Sequence, residues 1–142
     1  QPPGEGFRGA PLLPFEVGRD RITRADAPVK VLLPDHVLLN RPNRVLPSDW
    51  DGWEQERGLY FPRVYSSDYE ELLAMNMNHR YASLAMNDPG LPEQRSALLY
   101  ARTEGGGEFV YCSLALWRQW KKLHPGSVRM LANLLTPQPP GE

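Results

Sequence analysis

Ala97-Leu-Leu-Tyr-Ala101, Glu104-Gly-Gly-Gly107 and Glu108-Phe-Val-Tyr-Cys-Ser113 follow one another and decide the fold class. The two flanking runs are aliphatic and aromatic, suited to a pleated sheet, and the glycines between them allow the chain to reverse, which predicts a carboxy-terminal hairpin. No Lys-Ser or Lys-Thr follows the glycines and no dinucleotide-type glycine spacing is present, so the turn is read as a turn and no cofactor is expected. Downstream, Leu116, Trp120 and Leu123 share one face of a helix broadened by Trp117, and the spacing predicts that they pack inward, the alternative being a ligand surface formed by Trp117 and Trp120. Pro125-Gly126 is read as the break after that helix. Ser127 then caps a second helix, Val128 to Leu135, whose Val128, Leu131, Leu134 and Leu135 are expected to cover a sheet.

Upstream, Ala27-Pro-Val-Lys-Val-Leu-Leu33 predicts a strand closed by Pro34-Asp35. A turn is expected around Pro42, and Ser48 and Asp49 are placed to cap a brief helix carrying Trp50 and Trp53. Gly58 permits a change of direction before Leu59-Tyr60-Phe61, read as core or rim. Ser67 to Met75 has a polar start and an apolar centre, which suggests a short helix or a helix leading into a strand. Leu73-Ala-Met-Asn76 recurs as Leu84-Ala-Met-Asn87, a single near-repeat that suggests an enlarged loop or lengthened edge, since a solenoid needs several stacked units.

The chain of 142 residues suits one domain, but 15 Pro and 12 Gly commit much of it to loops. Proline and glycine concentrate at both ends, which gives an arm over residues 1–14, a globular unit over 15–136 and a flexible tail over 137–142. With 16 Lys and Arg against 17 Asp and Glu, the net charge of -1 lacks the footprint of a dedicated nucleic-acid binder. No run approaches the roughly 18 apolar residues of a membrane span. A start at Gln1 is taken to mean that an upstream portion has been lost.

Candidate chemistry is sparse. The single cysteine, Cys112, sits in Tyr111-Cys-Ser-Leu114 without a glycine-flanked elbow or a local histidine, so it is read as structural rather than as a hydrolase nucleophile. His36, His79 and His124 are too widely separated to form a zinc motif, and His79 and Tyr81 are read as ordinary surface residues. Asp49, Asp51, Glu54 and Glu56 are numerous, but Glu54 and Glu56 do not share a helical face, which disfavours a paired-carboxylate mechanism. The densest patch is Trp50-Asp-Gly-Trp-Glu-Gln-Glu-Arg-Gly58. Its indoles and polar groups suit recognition of a carbohydrate. They suit equally a loop anchored by buried indoles and an Arg57-carboxylate network.

Arg19-Asp-Arg21, Ala27-Pro-Val-Lys30, Pro42-Asn43, Asp51-Gly-Trp-Glu-Gln-Glu-Arg-Gly-Leu-Tyr-Phe61, Asn87-Asp-Pro-Gly90, Gly107 and Arg118-Gln119 together resemble the carboxy-terminal domain appended to some bacterial LmbE/PIG-L-type deacetylases. The resemblance spans roughly residues 14–136. It departs at Glu54, where a smaller apolar residue is common, and at the near-repeat before Asn87. It implies an α/β fold: a partial flavodoxin-like or class I glutamine-amidotransferase-like sheet with flanking helices and a carboxy-terminal hairpin, entered partway through the domain. The deacetylase His-Pro-Asp-Asp block and distal histidine have no counterpart here, so no catalytic or metal-binding residue is carried over.

The reading that follows is a noncatalytic accessory or interaction module associated with an LmbE/PIG-L-type deacetylase, helping to position a glycan. Trp53, Gln55, Glu56 and Arg57 are expected to stabilise the turn or to form its recognition surface. Candidate partners are a deacetylase domain, a second copy of the chain, or a glycan. One alternative is a fragment of a metal-dependent amino-sugar deacetylase assembly, active only when its catalytic portion is supplied. Another is a structural oligomerisation domain.

Overall fold

Four consecutive residues, Leu72 to Met75, are buried, and so are Ala97 to Tyr100. An antiparallel strand with one solvated face alternates apolar and polar residues, whereas continuous apolar runs mark strands covered on both faces. The computed structural model, which describes residues 14–76 and 93–138, places both runs at the centre of a sheet. The strands are β1 (Glu16–Val17), β2 (Arg21–Ile22), β3 (Val29–Val31), β4 (Gly58–Leu59), β5 (Pro62–Val64), β6 (Glu70–Asn76), β7 (Glu93–Arg102) and β8 (Glu108–Cys112). They are followed by α1 (Leu116–Trp120) and α2 (Pro125–Leu135). The main sheet has the order β3-β6-β7-β8, and β1-β5 and β2-β4 form two small ribbons.

Every pairing in the main sheet is antiparallel. The molecule is thus a mixed α/β fold with a multi-strand antiparallel sheet and flanking helices. A flavodoxin-like architecture is built on parallel strands joined by crossover helices, whereas here β7 returns directly into β8. The hairpin closes as its glycines allow: Thr103 N–H donates to Gly107 O at 2.8 Å, and Gly105 and Gly106 both sit at φ +86°. The expected strand at Ala27 to Leu33 is β3 (Val29–Val31), which among the described residues pairs with β6 alone.

The sheet is covered on both faces. On one face Leu98 and Tyr100 join Ile22, Leu38, Trp50, Trp53, Phe61, Leu116 and Met130. On the other, Leu99 packs with Phe15 and Val17. Phe15 meets the edges of Tyr65, Tyr69, Phe109 and Tyr111 at centroid distances of 6.5, 5.6, 6.0 and 5.2 Å, the tilted geometry that aromatic quadrupoles prefer.

Several local expectations need correction. Residues 70–76 are strand rather than helix, because β3 and β7 flank them and satisfy their backbone groups. The brief helix is a 3-10 turn over Pro47–Trp50, with Leu46 as its cap residue and Asp49 Oδ2 accepting from Leu46 N–H at 2.7 Å. Trp53 lies beyond it. Pro125 opens α2 instead of breaking a helix, since a proline at the first helical position loses no hydrogen bond. The cap is His124, whose Nδ1 accepts from Ser127 N–H at 3.3 Å.

The buried stripe of α2 is Gly126, Ser127, Met130 and Asn133, while Val128 and Leu135 are 41% and 74% exposed. Of the expected stripe, Val128 and Leu135 therefore face outward, Leu131 is half-buried and Leu134 packs against the core. Trp117 and Leu123 are exposed as well, and only Leu116 of that expected face is buried. Gly126 explains the displacement, because a Cβ there would lie 2.1 Å from Asp49 O. Backbone meets backbone at this point, which turns the small-residue side of α2 inward. The second copy of the near-repeat, His79, Tyr81 and most of the proline-rich arm lie outside the described residues.

Candidate functional site

Arg57 and Glu56 are adjacent, both buried, and turned to opposite sides. Arg57 enters the core. Its Nε donates to Ala27 O at 2.9 Å, its Nη1 donates to Trp50 O at 2.7 Å, and its guanidinium lies 4.9 Å from the Trp53 ring centroid. Burial pulls its pKa down to about 10, with Asp26 and Asp51 opposing the shift. Arg57 thus ties three separate chain segments together through carbonyls rather than through the carboxylate network expected from the sequence. Trp53 is likewise internal: its Nε1 donates to Asp49 O at 3.0 Å and its ring lies 5.8 Å from Trp50. A buried Gln119 fixes the next residue, accepting from Glu54 N–H and donating to Glu54 O, both at 2.9 Å.

Glu56 faces the other way. Its Oε2 accepts from Arg21 Nε at 3.0 Å and from Arg21 Nη2 at 2.7 Å. Its Oε1 lies 2.6 Å from Arg118 Nη2, close in distance but off the hydrogen-bond directions. Arg118 Nη1 also donates to Gln55 Oε1, and Arg118 Nε is enclosed without an acceptor. Two guanidiniums therefore share one buried carboxylate.

These arginines line a groove of about 390 Å³ with Tyr60, Tyr111 and Trp117. The Arg118 guanidinium lies 4.2 Å from the Trp117 ring centroid and Lys121 Nζ lies 5.9 Å from it. Of the four tryptophans, Trp50 and Trp53 are buried and Trp120 is partly buried and donates to Ser127 O at 3.2 Å. Trp117 is 44% exposed. Both Gln55 (φ 65°) and Tyr60 (φ 57°) occupy the left-handed region, which costs a side-chain-bearing residue roughly 1–2 kcal/mol. Tyr60 is held there by Tyr111 Oη donating to its carbonyl at 2.8 Å and by its own N–H donating to Asp20 O at 3.1 Å. Strained backbone over-determined by its surroundings tends to gather at functional sites.

The sequence-predicted residues thus separate. Trp53 and Arg57 anchor the turn from inside, Glu56 orients the groove arginines, and Gln55 is exposed against Arg118. Trp117, Arg118, Tyr60 and Arg21 complete the surface and were absent from the expected set. Arg118 was marked only as part of the Arg118-Gln119 pair, a polar step inside an aromatic helix.

Cys112 borders the groove, but burial pushes its thiol up to about 12, which leaves it without nucleophilic thiolate at neutral pH. His36 is committed to Glu70 Oε2 at 3.2 Å and to Leu38 N–H at 3.1 Å, and His124 to the α2 cap and Asp51 O. Among the described residues, no three His, Cys, Asp or Glu side chains come together as metal ligands, and no helix is long and apolar enough to cross a membrane. Comparison with protein-family models, curated proteins and solved structures finds no match for this chain.

Proposed function

We propose that the chain is a noncatalytic binding module that holds a saccharide in the groove between Tyr60 and Trp117, acting as an accessory to an LmbE/PIG-L-type deacetylase. The observation that carries the groove is the exposed indole of Trp117 backed by Arg118, next to polar groups fixed by a buried carboxylate. Sugar rings present C–H faces that stack on aromatic rings and hydroxyls that need oriented partners. Gln55, Arg21 and Arg118 supply such partners. The association with a deacetylase is supported by the sequence resemblance, and so is the amidotransferase-like fold identity, against which the antiparallel pairing weighs.

Trp117 is the most exposed of the four tryptophans, so it reports on its own groove. Bound saccharide should shield it from acrylamide quenching, and Trp117→Ala should abolish both the shielding and the binding heat. Unchanged saccharide binding by a folded Trp117→Ala variant would overturn the groove assignment.

A second reading, association with a deacetylase domain or a second copy, is favoured by the outward stripe of α2. Val128 and Leu135, spaced seven residues apart, lie on one helical face and are both exposed. Light scattering of the purified chain, with Leu135→Glu as the control, tests self-association. Mixing with the deacetylase portion tests the other partner.

A further inference from the structure

We infer that the ligand of the Tyr60–Trp117 groove is an acidic saccharide, whose oxyanion is taken by Arg118 and Arg21. This inference rests on the groove reading above and specifies its ligand. Two guanidiniums against one carboxylate leave the groove with an excess of one positive charge, and Lys121 stands beside the same indole. The arginines are also underused. Of the five N–H bonds that a guanidinium carries, Arg21 commits those on Nε and Nη2 to Glu56, and its Nη1 makes no hydrogen bond among the described residues. Arg118 gives Nη1 to Gln55 and meets Glu56 through Nη2 off the hydrogen-bond directions, so an incoming oxyanion offers its outer N–H groups better geometry than Glu56 does.

Glu56 is the positioning residue. Its side chain is 3% exposed and too enclosed to serve as the ligand's own contact, yet it holds two cations on one groove that would otherwise repel. Arg118 lies over the Trp117 ring, so the charged fork and the stacking surface are presented as one unit. A ring bearing a carboxylate fits that unit. A neutral ring would use the indole and offer the arginines hydroxyls, but would leave their excess charge unbalanced.

The probes are an oligomer of galacturonic acid, its fully methyl-esterified form, and inorganic sulfate, each titrated calorimetrically and by Trp117 quenching. The acid form should bind about tenfold or more tightly than the ester, as charged hydrogen bonds predict. Its affinity should fall with added salt. Arg118→Gln should erase the difference between acid and ester, and Arg118→Lys should restore it only in part, because lysine keeps the charge and loses the fork. If Arg118→Gln fails to fold, Arg21→Gln provides the same comparison. Equal binding of acid and ester overturns this inference alone and leaves the saccharide groove standing. No binding of either overturns both. Sulfate binding as tightly as the acid oligomer would make the site a simple anion site and overturn the assignment of a sugar.

Discussion

Replacing Asn133 with leucine removes one side chain that holds a whole loop against α2. Asn133 is fully buried. Its Nδ2 donates to Leu38 O at 2.9 Å and to Asn43 O at 2.7 Å, and its Oδ1 accepts from Asn43 N–H at 2.9 Å. Leucine restores the volume, which separates the polar loss from any cavity effect, but it leaves two carbonyls and one N–H without these partners. Each such group costs about 1–3 kcal/mol when it stays buried. Relaxation of the 38–43 loop toward water reduces the sum, so Asn133→Leu should destabilise by about 3–5 kcal/mol. Urea unfolding should show a lower midpoint at unchanged slope, and the melting temperature should drop by roughly 10–20 °C. Asn133→Asp gives an internal check. Its carboxylate would face two carbonyls in a buried site, which raises its folded pKa above the unfolded value. The variant should therefore be least stable at neutral pH and recover as pH falls and the carboxyl protonates. A cost below about 1 kcal/mol for Asn133→Leu, or a flat pH profile for Asn133→Asp, would refute the reasoning.

Gly126→Ala should prevent normal folding or cost more than about 3 kcal/mol, since its Cβ would lie 2.1 Å from Asp49 O and neither backbone can retreat; circular dichroism and a melting curve decide this. Tyr65, Tyr100 and Tyr111 are each pushed from 10.0 up to about 12, chiefly by burial, with Glu71 adding to the shift at Tyr65 and Glu108 at Tyr100. Raised folded values mean that their contribution to stability is intact below pH 10 and is lost as pH climbs toward 12. Tyrosinate absorbance should therefore rise together with unfolding in that window. Simple titration near pH 10 with the fold intact would contradict it. Cys112, its thiol raised by burial, should resist alkylation at neutral pH until urea unfolds the chain. Rapid labelling of the native protein would show that the thiolate is accessible.

The strands were legible where chemistry punctuates them. Aliphatic runs on either side of the Glu104–Gly107 turn produce β7 and β8 because glycine supplies the positive φ that the reversal requires. β6 was obscure for the opposite reason: both its faces are covered, so Leu72 to Met75 carry no period-two signal and read equally well as helix. In α2 the inward residues include Asn133 and Ser127, whose polarity argues for solvent until their partners are known. The resulting stripe was displaced, with Leu134 on the core but Val128 and Leu135 outside it. The groove was hidden by distance along the chain. Arg21, Tyr60, Tyr111 and Trp117 come together only because β2 pairs with β4, Tyr111 reaches back to Tyr60, and α1 starts just after β8. The turn Trp50 to Gly58 stood out in the sequence for its indoles and charged groups, but which side chains point inward depended on contacts that spacing does not encode.

The adjacency of Glu56 and Arg57 has a consequence for how this segment tolerates change in length. One side chain faces the groove and the next faces the core, so their roles are assigned by parity along the chain. A residue inserted or deleted between Trp53 and Glu56 would shift every following side chain by one place. An insertion would carry the carboxylate to the place of Arg57, facing the Ala27 and Trp50 carbonyls where it can only accept, whereas a deletion would carry the guanidinium to the place of Glu56, adding a third cation to Arg21 and Arg118. Either change removes Glu56 from the groove and Arg57 from the core in a single step. The turn can therefore vary in composition at exposed Gln55 far more freely than in length, and an indel there should damage the groove and the core together.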